Sequence, residues 1–497
     1  MQQRIAIIGA GLSGLVTAKT LLEYGHDVTV FEKEPELGGV WTPSRHYPGL
    51  TTQNTRDTYA FSDFRMPKQY PEFPSGAQML RYLTNYAEQF DVLPHIRLQH
   101  RITAANLIEV HGKSQWQLIG EYQGRPFLET ADFLVVCNGT FSEPFIPAVM
   151  GMEDFRQAGG QILHTSTVGT AGALHDKKVV VVGFGKSACD VASSLAEQAA
   201  SMHLVYRQAK WKVPKRILGI NYKYFILSRF GEALTKLRYR TGSERLLHFL
   251  QIPGLMLGSM QRIFARQQRL QVCGLKPALP ITDLVFGELS VESDGFYRQV
   301  EQGKIQAVAG EILAYEQDGI RLTKGEKIPA DVVVYGTGFS QSLPFLSPDL
   351  MQQITDAQGN YLLYRHILPT RLPGLAFIGY NSSFFCNLTS EMGALWLAEY
   401  LEGQLDLPGP VAMEQQISEH LDWRKQFRQN SLYRNASVYP FNLTYVDWLM
   451  QDMRTRLPLS SLLSEWLVVV EPAHYAAVKK AVMRRSQRYV PPAKVPL

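Results

Sequence analysis

A glycine-rich string near the start of the chain has the residue types and spacing of a dinucleotide-binding turn. The string is Gly9-Ala10-Gly11-Leu12-Ser13-Gly14. In such a turn Gly9 permits a sharp bend, Gly11 lets the backbone approach a pyrophosphate, and Gly14 lets the following helix pack on the sheet. The start of that helix offers unpaired N–H groups to the phosphates. We therefore predict that Leu12 and Ser13 lie with the glycines at a dinucleotide site.

The residues around the string favour the same interpretation. The apolar run Arg4–Ile8 predicts a strand before it, and Glu32, followed by Lys33, ends the next apolar run. An acidic residue is expected there, about twenty residues beyond the glycines, where it accepts hydrogen bonds from ribose hydroxyls. A glycine turn that binds no ligand is the alternative, and this context disfavours it.

A second string repeats the pattern in the middle of the chain. The run Lys178–Val182 predicts a strand, two glycines follow it, and Ala188 takes the third glycine position, where the pattern allows a small residue. A nucleoside-triphosphate loop is excluded, because Val180 stands where that loop needs a glycine. We predict a second dinucleotide site made by Gly183, Gly185, Lys186 and Ser187.

The two sites differ at the end of the strand that follows each helix. The first site has Glu32, whereas the second has Arg207, followed by Lys210 and Lys212. Cations cannot accept a hydroxyl proton, but they suit a 2′-phosphate. We therefore predict FAD at the first site and NADPH at the second. A solvated strand end is the alternative interpretation of Arg207.

Parallel strands are needed to position both sites. The continuous Val and Ile runs are typical of parallel strands that are buried on both faces. Two matching strands, Asp132–Thr140 and Asp331–Gly338, end in glycine turns and would carry the chain between two domains. A late strand, Leu375–Gly379, and a helix, Glu391–Leu401, would return the chain to the first site.

The predicted fold class is therefore α/β, with two dinucleotide-binding (Rossmann-like) domains, the NADPH domain being inserted in the FAD domain. We expect residues 1–171 to form the first part of the FAD domain and residues 172–337 to form the NADPH domain. Residues 338–497 would complete the FAD domain and add a C-terminal helical region.

A basic segment, residues 213–272, stands apart within the inner domain. It has eleven Lys and Arg against two Asp and Glu, interleaved with apolar residues, and we predict it to be mainly helical. One interpretation is a solvated basic face that covers the inner domain. The other is peripheral contact with a membrane surface or a partner, since basic amphipathic stretches bind anionic surfaces. A homodimer is also left open.

Composition narrows the class of protein. The chain has 497 residues, which suits two or three domains, and its net charge of +5 is too small to indicate nucleic-acid binding. The four cysteines form no CxxC pair, and the start of the chain has no signal-peptide pattern, so we expect a cytoplasmic protein. No apolar stretch has the length of a membrane span. We expect no metal site, because no HExxH or comparable ligand cluster occurs.

Several further strings resemble those of the flavin-containing monooxygenases, the class B flavoprotein monooxygenases. Gly38-Gly39-Val40-Trp41 is similar to the family's GGxW, which implies that Gly39, Val40 and Trp41 lie close to the flavin. The second glycine turn resembles the family's NADP turn. The other strings are Phe61-Ser62-Asp63-Phe64, Tyr82-Leu83-x-x-Tyr86, Gly336-Thr337-Gly338-Phe339, Pro344-Phe345-Leu346, Glu391–Trp396 and Tyr445-Val446-Asp447.

Two departures from the family pattern concern residues near the chemistry. In the signature FxGxxxHxxx(Y/F), Gly160 and His164 are kept but Ala158 and Val168 replace the aromatic residues, so we interpret His164 as an interdomain linker residue. The family also places an Asn eight residues before the FxDF phenylalanine. That position is Gln53 here, with Asn54 next to it, and either amide can donate to a flavin oxygen or to the reduced-oxygen intermediate.

The resemblance implies an NADPH- and O2-dependent flavin monooxygenase that acts through a C4a-hydroperoxyflavin. Its substrate would be a small nucleophile oxygenated at an amine nitrogen, a sulfur or an electron-rich aromatic carbon. Phe339, Phe384 and Phe385 are candidates to line a dry pocket, although each also fits ordinary core packing. A Baeyer–Villiger-type ketone monooxygenase is an alternative that Val168 disfavours. A non-oxygenating NADPH-flavin reductase is another, and the lack of a CxxC disfavours its disulfide-reducing form.

Overall fold

The computed structural model describes residues 2–169, 174–235, 241–281, 290–381, 383–427 and 442–486. Its strands, in chain order, are β1 Arg4–Ile8, β2 Asp27–Phe31, β3 Ile96–Arg97, β4 His100–Val110, β5 Lys113–Tyr122, β6 Arg125–Ala131, β7 Phe133–Val136, β8 Glu143–Pro144, β9 Gln161–His164, β10 Lys178–Val182, β11 Ser201–Tyr206, β12 Lys212–Val213, β13 Arg216–Ile217, β14 Ile220–Asn221, β15 Ser290–Val291, β16 Gln306–Ala309, β17 Ile312–Glu316, β18 Gly319–Leu322, β19 Lys327–Pro329, β20 Val332–Tyr335, β21 Phe339–Ser340, β22 Leu363–Tyr364, β23 Leu368–Pro369 and β24 Leu375–Phe377.

The α-helices lie mostly between the strands and in the last quarter of the chain. They are α1 Leu12–Glu23, α2 Gly76–Gln89, α3 Met152–Gln157, α4 Lys186–Leu195, α5 Lys223–Ile226, α6 Arg229–Thr235, α7 Gly242–Phe249, α8 Ile252–Gln267, α9 Phe296–Glu301, α10 Pro348–Ile354, α11 Cys386–Leu401, α12 Pro410–Phe427, α13 Leu443–Asp452, α14 Leu459–Leu467 and α15 Tyr475–Arg485.

Two five-stranded parallel sheets of the same design dominate the fold. The first has the strand order β24-β7-β1-β2-β3, and the second has the order β16-β11-β10-β20-β9. In each sheet the strand before the glycine turn is central and the strand after the following helix lies beside it. This topology confirms the predicted α/β class with two Rossmann-like domains. β24 pairs with β7, so the chain does return to the first sheet.

Alternating side chains explain why both faces of the first sheet are covered. Ile5 and Ile7 join the core that includes α1 and α11, whereas Ala6 and Ile8 join the core beneath the antiparallel sheet β4-β5-β6. This division follows from the period of two along a strand. The second sheet is covered in the same way by α4 on one face and by α3 with β17-β18-β19 on the other.

The second sheet takes one strand from before the expected domain boundary. The boundary at residues 171 and 172 falls outside the described residues, but β9 pairs in parallel with β20. Residues 161–164 therefore belong with the second sheet rather than with the first, as a correction to the expected division. The chain crosses between the sheets at β8 and β21, which pair antiparallel with each other.

The basic segment is mainly helical, as expected, and much of its charge is neutralised internally. Arg229 in α6 is buried and binds both oxygens of Asp447, at 2.8 and 2.9 Å, and the buried Glu465 at 3.0 Å. Four more of its described cations form ion pairs; they are Lys215, Arg216, Lys223 and Arg269. The segment is therefore only in part the solvated basic face that its composition suggested; residues 236–240 lie outside the description. Within the described chain, no helix is long and apolar enough to cross a membrane.

Candidate dinucleotide sites and the loop between them

The first glycine turn has the backbone geometry that its sequence predicts. Gly9 adopts φ +105°, and a Cβ atom there would lie 2.7 Å from the carbonyl oxygen of Cys137. A Cβ on Gly14 would lie 1.8 Å from the carbonyl oxygen of Gly9. Only glycine avoids both collisions, so these two residues are required by the turn itself.

Gly11 differs from its two neighbours because the protein does not fill the space beside it. It precedes α1 as the N-cap, and no side chain caps the helix. A Cβ on Gly11 would meet only the backbone of Gly39, at 3.6 Å, an ordinary contact. The free N–H groups of Leu12 and Ser13 therefore face a position that a pyrophosphate fits. This uncapped helix end is where the chain fits a dinucleotide.

The GGxW-like string lies against this turn. Gly38 donates its N–H to the carbonyl of Ala10 at 2.9 Å, and Gly39 adopts φ +61° beside Gly11. Val40 is exposed, whereas Trp41 is buried edge-on against the ring of Tyr59, with centroids 6.2 Å apart. The structure thus brings this string next to the first site.

Glu32 lies at the end of β2, and its side chain binds the backbone of the first glycine turn. Its carboxylate accepts hydrogen bonds from the N–H groups of Ala10, at 2.7 Å, and Glu34, at 2.9 Å. Burial raises the pKa of Glu32 above its ordinary value, with the two backbone bonds opposing the shift. Lys33 next to it points away to Glu143, at 3.6 Å. The remaining lone pairs of Glu32 suit ribose hydroxyls.

The second turn repeats the first in detail. Gly183 adopts φ +128°, and a Cβ there would lie 2.5 Å from the carbonyl oxygen of Gly336, the counterpart of Cys137. Gly185 is the N-cap of α4, again without a side-chain cap, and a Cβ on it would meet only that same oxygen, at 4.0 Å. The start of α4 therefore also offers uncapped N–H groups beside open space, as a pyrophosphate requires.

Two lysines near the second turn have ammonium groups that pair within the protein, and for Lys212 this differs from the sequence prediction. Lys186 folds back along α4 and pairs with the buried Asp190, so its backbone N–H rather than its ammonium is available to a phosphate. Lys212 is fully buried, and its ammonium donates to the carbonyl of Phe184, within the turn, at 3.0 Å. Burial lowers the pKa of Lys212. It supports the turn from inside and is not available to a 2′-phosphate.

Arg207 and Lys210 are the cations left for that role. Arg207 follows the last residue of β11, one position beyond the counterpart of Glu32, because Gly9 and Gly183 donate their N–H groups to the carbonyls of Phe31 and Val205. Its side chain is 76% exposed, with Nε 3.3 Å from Glu311. Lys210 follows, half-buried. Ser187, in the first turn of α4, accepts a hydrogen bond from Thr165 at 3.3 Å.

The two candidate amides lie on one loop but have different partners. Gln53 is half-buried, and its Oε1 accepts the N–H of Val291 at 3.1 Å. Asn54 is 1% exposed, donates to the carbonyl of Phe384 at 2.6 Å, and has its Oδ1 3.5 Å from the hydroxyl of Tyr222. The sequence did not identify Tyr222 or Val291, because neither belongs to a recognisable motif.

His164 has the linker role that was expected from its degraded signature. Its Nε2 donates to the carbonyl of Gly338 at 2.9 Å, and its ring packs edge-on against Phe339, with centroids 4.8 Å apart. Burial lowers the pKa of His164, so the neutral ring is favoured. Phe339 therefore lies at the crossing between the sheets, whereas Phe384 and Phe385 are buried before α11.

The FxDF-like string is held by a buried network that sequence reasoning missed. The Tyr82 hydroxyl accepts the N–H of Phe61 at 2.8 Å, and Glu391 accepts both the N–H and the hydroxyl of Ser62, at 2.8 and 2.7 Å. Asp63 pairs with Lys19, which is 1% exposed, and with Lys479 at 3.0 Å. A lysine in the apolar helix α1 was the one available signal.

These features define a flavoprotein of the two-dinucleotide class. The sequence profile of the family described as FMO-like, flavin-binding monooxygenase-like, matches residues 2–466. The chain belongs to this family.

Individual relatives agree over almost the whole length. Flavin-containing monooxygenase 1 of Rattus norvegicus is 28% identical over 483 residues, covering 93% of this chain and 85% of the relative. The structure of S-allyl-L-cysteine S-oxygenase from Allium sativum matches with a TM-score of 0.63 at 20% identity, covering 99% of this chain and 95% of that one. The structure of OTEMO in complex with FAD and NADP matches with a TM-score of 0.67 at 19% identity, covering 90% and 97%.

Family membership confirms the principal functional predictions. The chain is an enzyme, an oxidoreductase of the flavin monooxygenase class, and its cofactors are FAD and NADPH.

Proposed function

We propose that this enzyme consumes NADPH and O2 to transfer one oxygen atom to a small nucleophilic substrate, at an amine nitrogen, a sulfur or an electron-rich aromatic carbon. The balanced reaction converts substrate, O2, NADPH and a proton to oxygenated substrate, water and NADP+. The observation that supports it best is the pair of uncapped helix starts: Glu32 bonds the backbone of the first glycine turn, and the exposed Arg207 follows the strand beside the second.

The different charges of Glu32 and Arg207 support a different cofactor at each glycine turn. A buried carboxylate with backbone donors suits the ribose of FAD at Gly9–Gly14, and an exposed guanidinium suits the 2′-phosphate of NADPH at Gly183–Ala188. FAD, when bound, supplies the two-electron exchange with NADPH and the activation of O2. The protein binds, orients and excludes water.

Gln53 is the better candidate for the family's amide role. The N–H of Val291 bonds its Oε1, which identifies the oxygen end and leaves the Nε2 hydrogens as donors. Asn54 has both ends of its amide directed at protein groups, Phe384 and Tyr222, and is buried. We therefore assign the catalytic amide to Gln53 and a structural role to Asn54.

The experiment is a screen of purified, FAD-loaded enzyme with NADPH against a tertiary amine, a thioether, an electron-rich arene and a cyclic ketone. We expect one of the first three to accelerate NADPH oxidation and to yield oxygenated product matching the NADPH consumed. Gln53→Leu, which removes the donor at similar volume, should shift consumption from product to hydrogen peroxide. Product from the ketone alone would favour the Baeyer–Villiger alternative, and peroxide alone with every substrate would contradict the proposal.

We also propose that the α7–α8 hairpin makes peripheral contact with an anionic lipid surface. Its tip exposes four large apolar side chains, with Phe249 82% exposed; they are Leu246, Phe249, Leu250 and Leu255. Arg262 and Arg266 are exposed along α8, and the one acidic residue between positions 241 and 267, Glu244, is buried. An apolar tip with basic flanks suits anionic headgroups.

Co-flotation with vesicles tests this contact. We expect the enzyme to float with phosphatidylserine-containing vesicles but not with pure phosphatidylcholine, and Phe249→Ser to weaken flotation while activity is kept. If wild type and Phe249→Ser float equally with the phosphatidylserine-containing vesicles, the assignment of the hairpin tip as a lipid contact would be overturned. A dimer in solution that Phe249→Ser dissociates would instead make the tip a subunit interface.

A further inference from the structure

The start of the basic segment lies directly on the loop that carries Gln53. The hydroxyl of Tyr222, between β14 and α5, donates to the backbone carbonyl of Gln53 at 2.5 Å. The same oxygen atom is 3.5 Å from Oδ1 of Asn54. One phenol thus contacts both residues of the candidate amide pair, although it is 169 positions away in the chain.

The position of Tyr222 is well determined by its surroundings. It is 1% exposed, and its ring stacks on Phe73, with centroids 6.3 Å apart and planes within 14°. Burial raises the pKa of Tyr222 far above its ordinary value. The phenol therefore keeps its proton and can donate to the carbonyl of Gln53 over the whole working range of pH.

A second contact holds the side chain of Gln53 while Tyr222 holds its main chain. Val291, in β15, which pairs with β12 at the start of the basic segment, donates its N–H to Oε1 of Gln53 at 3.1 Å. Phe384, from the last third of the chain, accepts from Asn54 at 2.6 Å. Three distant segments therefore converge on two adjacent residues.

Two ion pairs also join the start of the basic segment to the first domain near Gln53. Arg216 pairs with Glu72 at 2.8 Å, and Lys223 pairs with Asp57 at 3.2 Å. These acids are half-exposed or exposed, so each pair contributes only a little to stability. They add weak contacts, whereas the buried phenol bonds the main chain of Gln53 itself.

We infer that Tyr222 is a positioning residue for the oxygenation reaction: it fixes the loop so that the Nε2 donors of Gln53 are presented in one orientation. This inference rests on the proposed role of Gln53. A donor that is free to rotate would be present for only part of the time, and preorganisation is what makes such donors effective. Loss of the phenol hydroxyl should therefore reduce the amount of product formed per NADPH consumed (the coupling), and it should leave cofactor binding unchanged.

The test compares Tyr222→Phe, which keeps the stacked ring, with Tyr224→Phe, an exposed tyrosine of α5. In FAD-loaded enzyme without NADPH or substrate we expect Tyr222→Phe to speed hydrogen–deuterium exchange of residues 52–58 by about tenfold, which corresponds to the loss of one buried hydrogen bond. In the loaded enzyme we expect several-fold more hydrogen peroxide per NADPH, with the KM for NADPH unchanged. Tyr224→Phe should match wild type in both measurements.

Unchanged exchange in Tyr222→Phe would overturn the inference, and faster exchange with unchanged coupling would reduce the contact to a structural one and overturn it as well. The two proposals fail separately. If wild-type enzyme oxygenates no substrate, the proposed function fails, while the exchange measurement, which needs no turnover, still decides whether Tyr222 holds the loop.

Discussion

A Cβ atom built on Gly14 would lie 1.8 Å from the carbonyl oxygen of Gly9, so the first helix and the turn before it touch through backbone alone. The same construction on Gly11 meets nothing closer than 3.6 Å. Glycines of one motif therefore have two different functions. Gly14 is needed for folding, and Gly11 is needed for the ligand.

This difference predicts opposite outcomes for two alanine variants. Gly11→Ala should fold like wild type, with the FAD-free protein melting at the same temperature, but it should emerge from gel filtration without yellow colour. Gly14→Ala should lower the melting temperature of the FAD-free protein or prevent its recovery. If Gly11→Ala retained one FAD per chain, the assignment of Gly9–Gly14 as the FAD site would be contradicted.

Arg207 should determine the preference for NADPH over NADH. A charge-assisted hydrogen bond contributes about 1.5 to 3 kcal/mol, which corresponds to about 10- to 100-fold in affinity. Arg207→Ala should therefore raise the KM for NADPH by that factor and leave the KM for NADH nearly unchanged. Glu311→Gln, which releases Arg207 from its partner at 3.3 Å, should lower the KM for NADPH.

Arg156→Ala is the matched control, since this arginine is also exposed and paired with one carboxylate, Glu153, at 3.4 Å. It should leave both cofactor constants as they are. An unchanged ratio of the two constants in Arg207→Ala would contradict the phosphate assignment.

Glu391 should make stability depend on pH near neutrality. Burial, together with the charge of Asp63, raises its pKa to about 7 against the pull of Lys479 and Lys19. Between the ordinary value of 4.5 and about 7, the folded protein keeps a proton that the unfolded chain releases. Rising pH through this window should therefore lower the free energy of unfolding, by roughly 1 to 3 kcal/mol.

Glu391→Gln removes the titrating group and can still bond Ser62. Denaturant unfolding measured between about pH 5 and about pH 8 should show the loss of stability in wild type but not in the variant. Glu88→Gln, at an exposed position of α2, should behave like wild type. Parallel curves for wild type and Glu391→Gln would show that Glu391 does not titrate in this window.

The sequence predicted those parts of the fold that depend on a few neighbouring residues. Gly9 and Gly183 need positive φ, and the Val and Ile runs before them need burial on both faces, so both turns and both central strands follow from short strings. β9 was not predicted, because Gln161–His164 has no such run and becomes a strand only by pairing with β20.

The residues that were misjudged or missed depend on distant parts of the chain. Lys212 follows a strand end and resembles a solvated cation, yet Phe184 and Ser290 enclose it. Tyr222 contacts Gln53 only when the basic segment packs against the first domain. Burial and partners of this kind are set by tertiary contacts, which a single sequence with no local pattern does not specify.

The most direct test of oxygenase function is the fate of labelled oxygen. FAD-loaded enzyme would be supplied with NADPH, 18O2 and the substrate that best accelerates NADPH oxidation, and the product would be analysed by mass spectrometry. We predict one 18O atom in each product molecule, with product formed in proportion to the NADPH consumed. Product without the label, or consumption of NADPH that yields only labelled hydrogen peroxide with every substrate, would contradict the account.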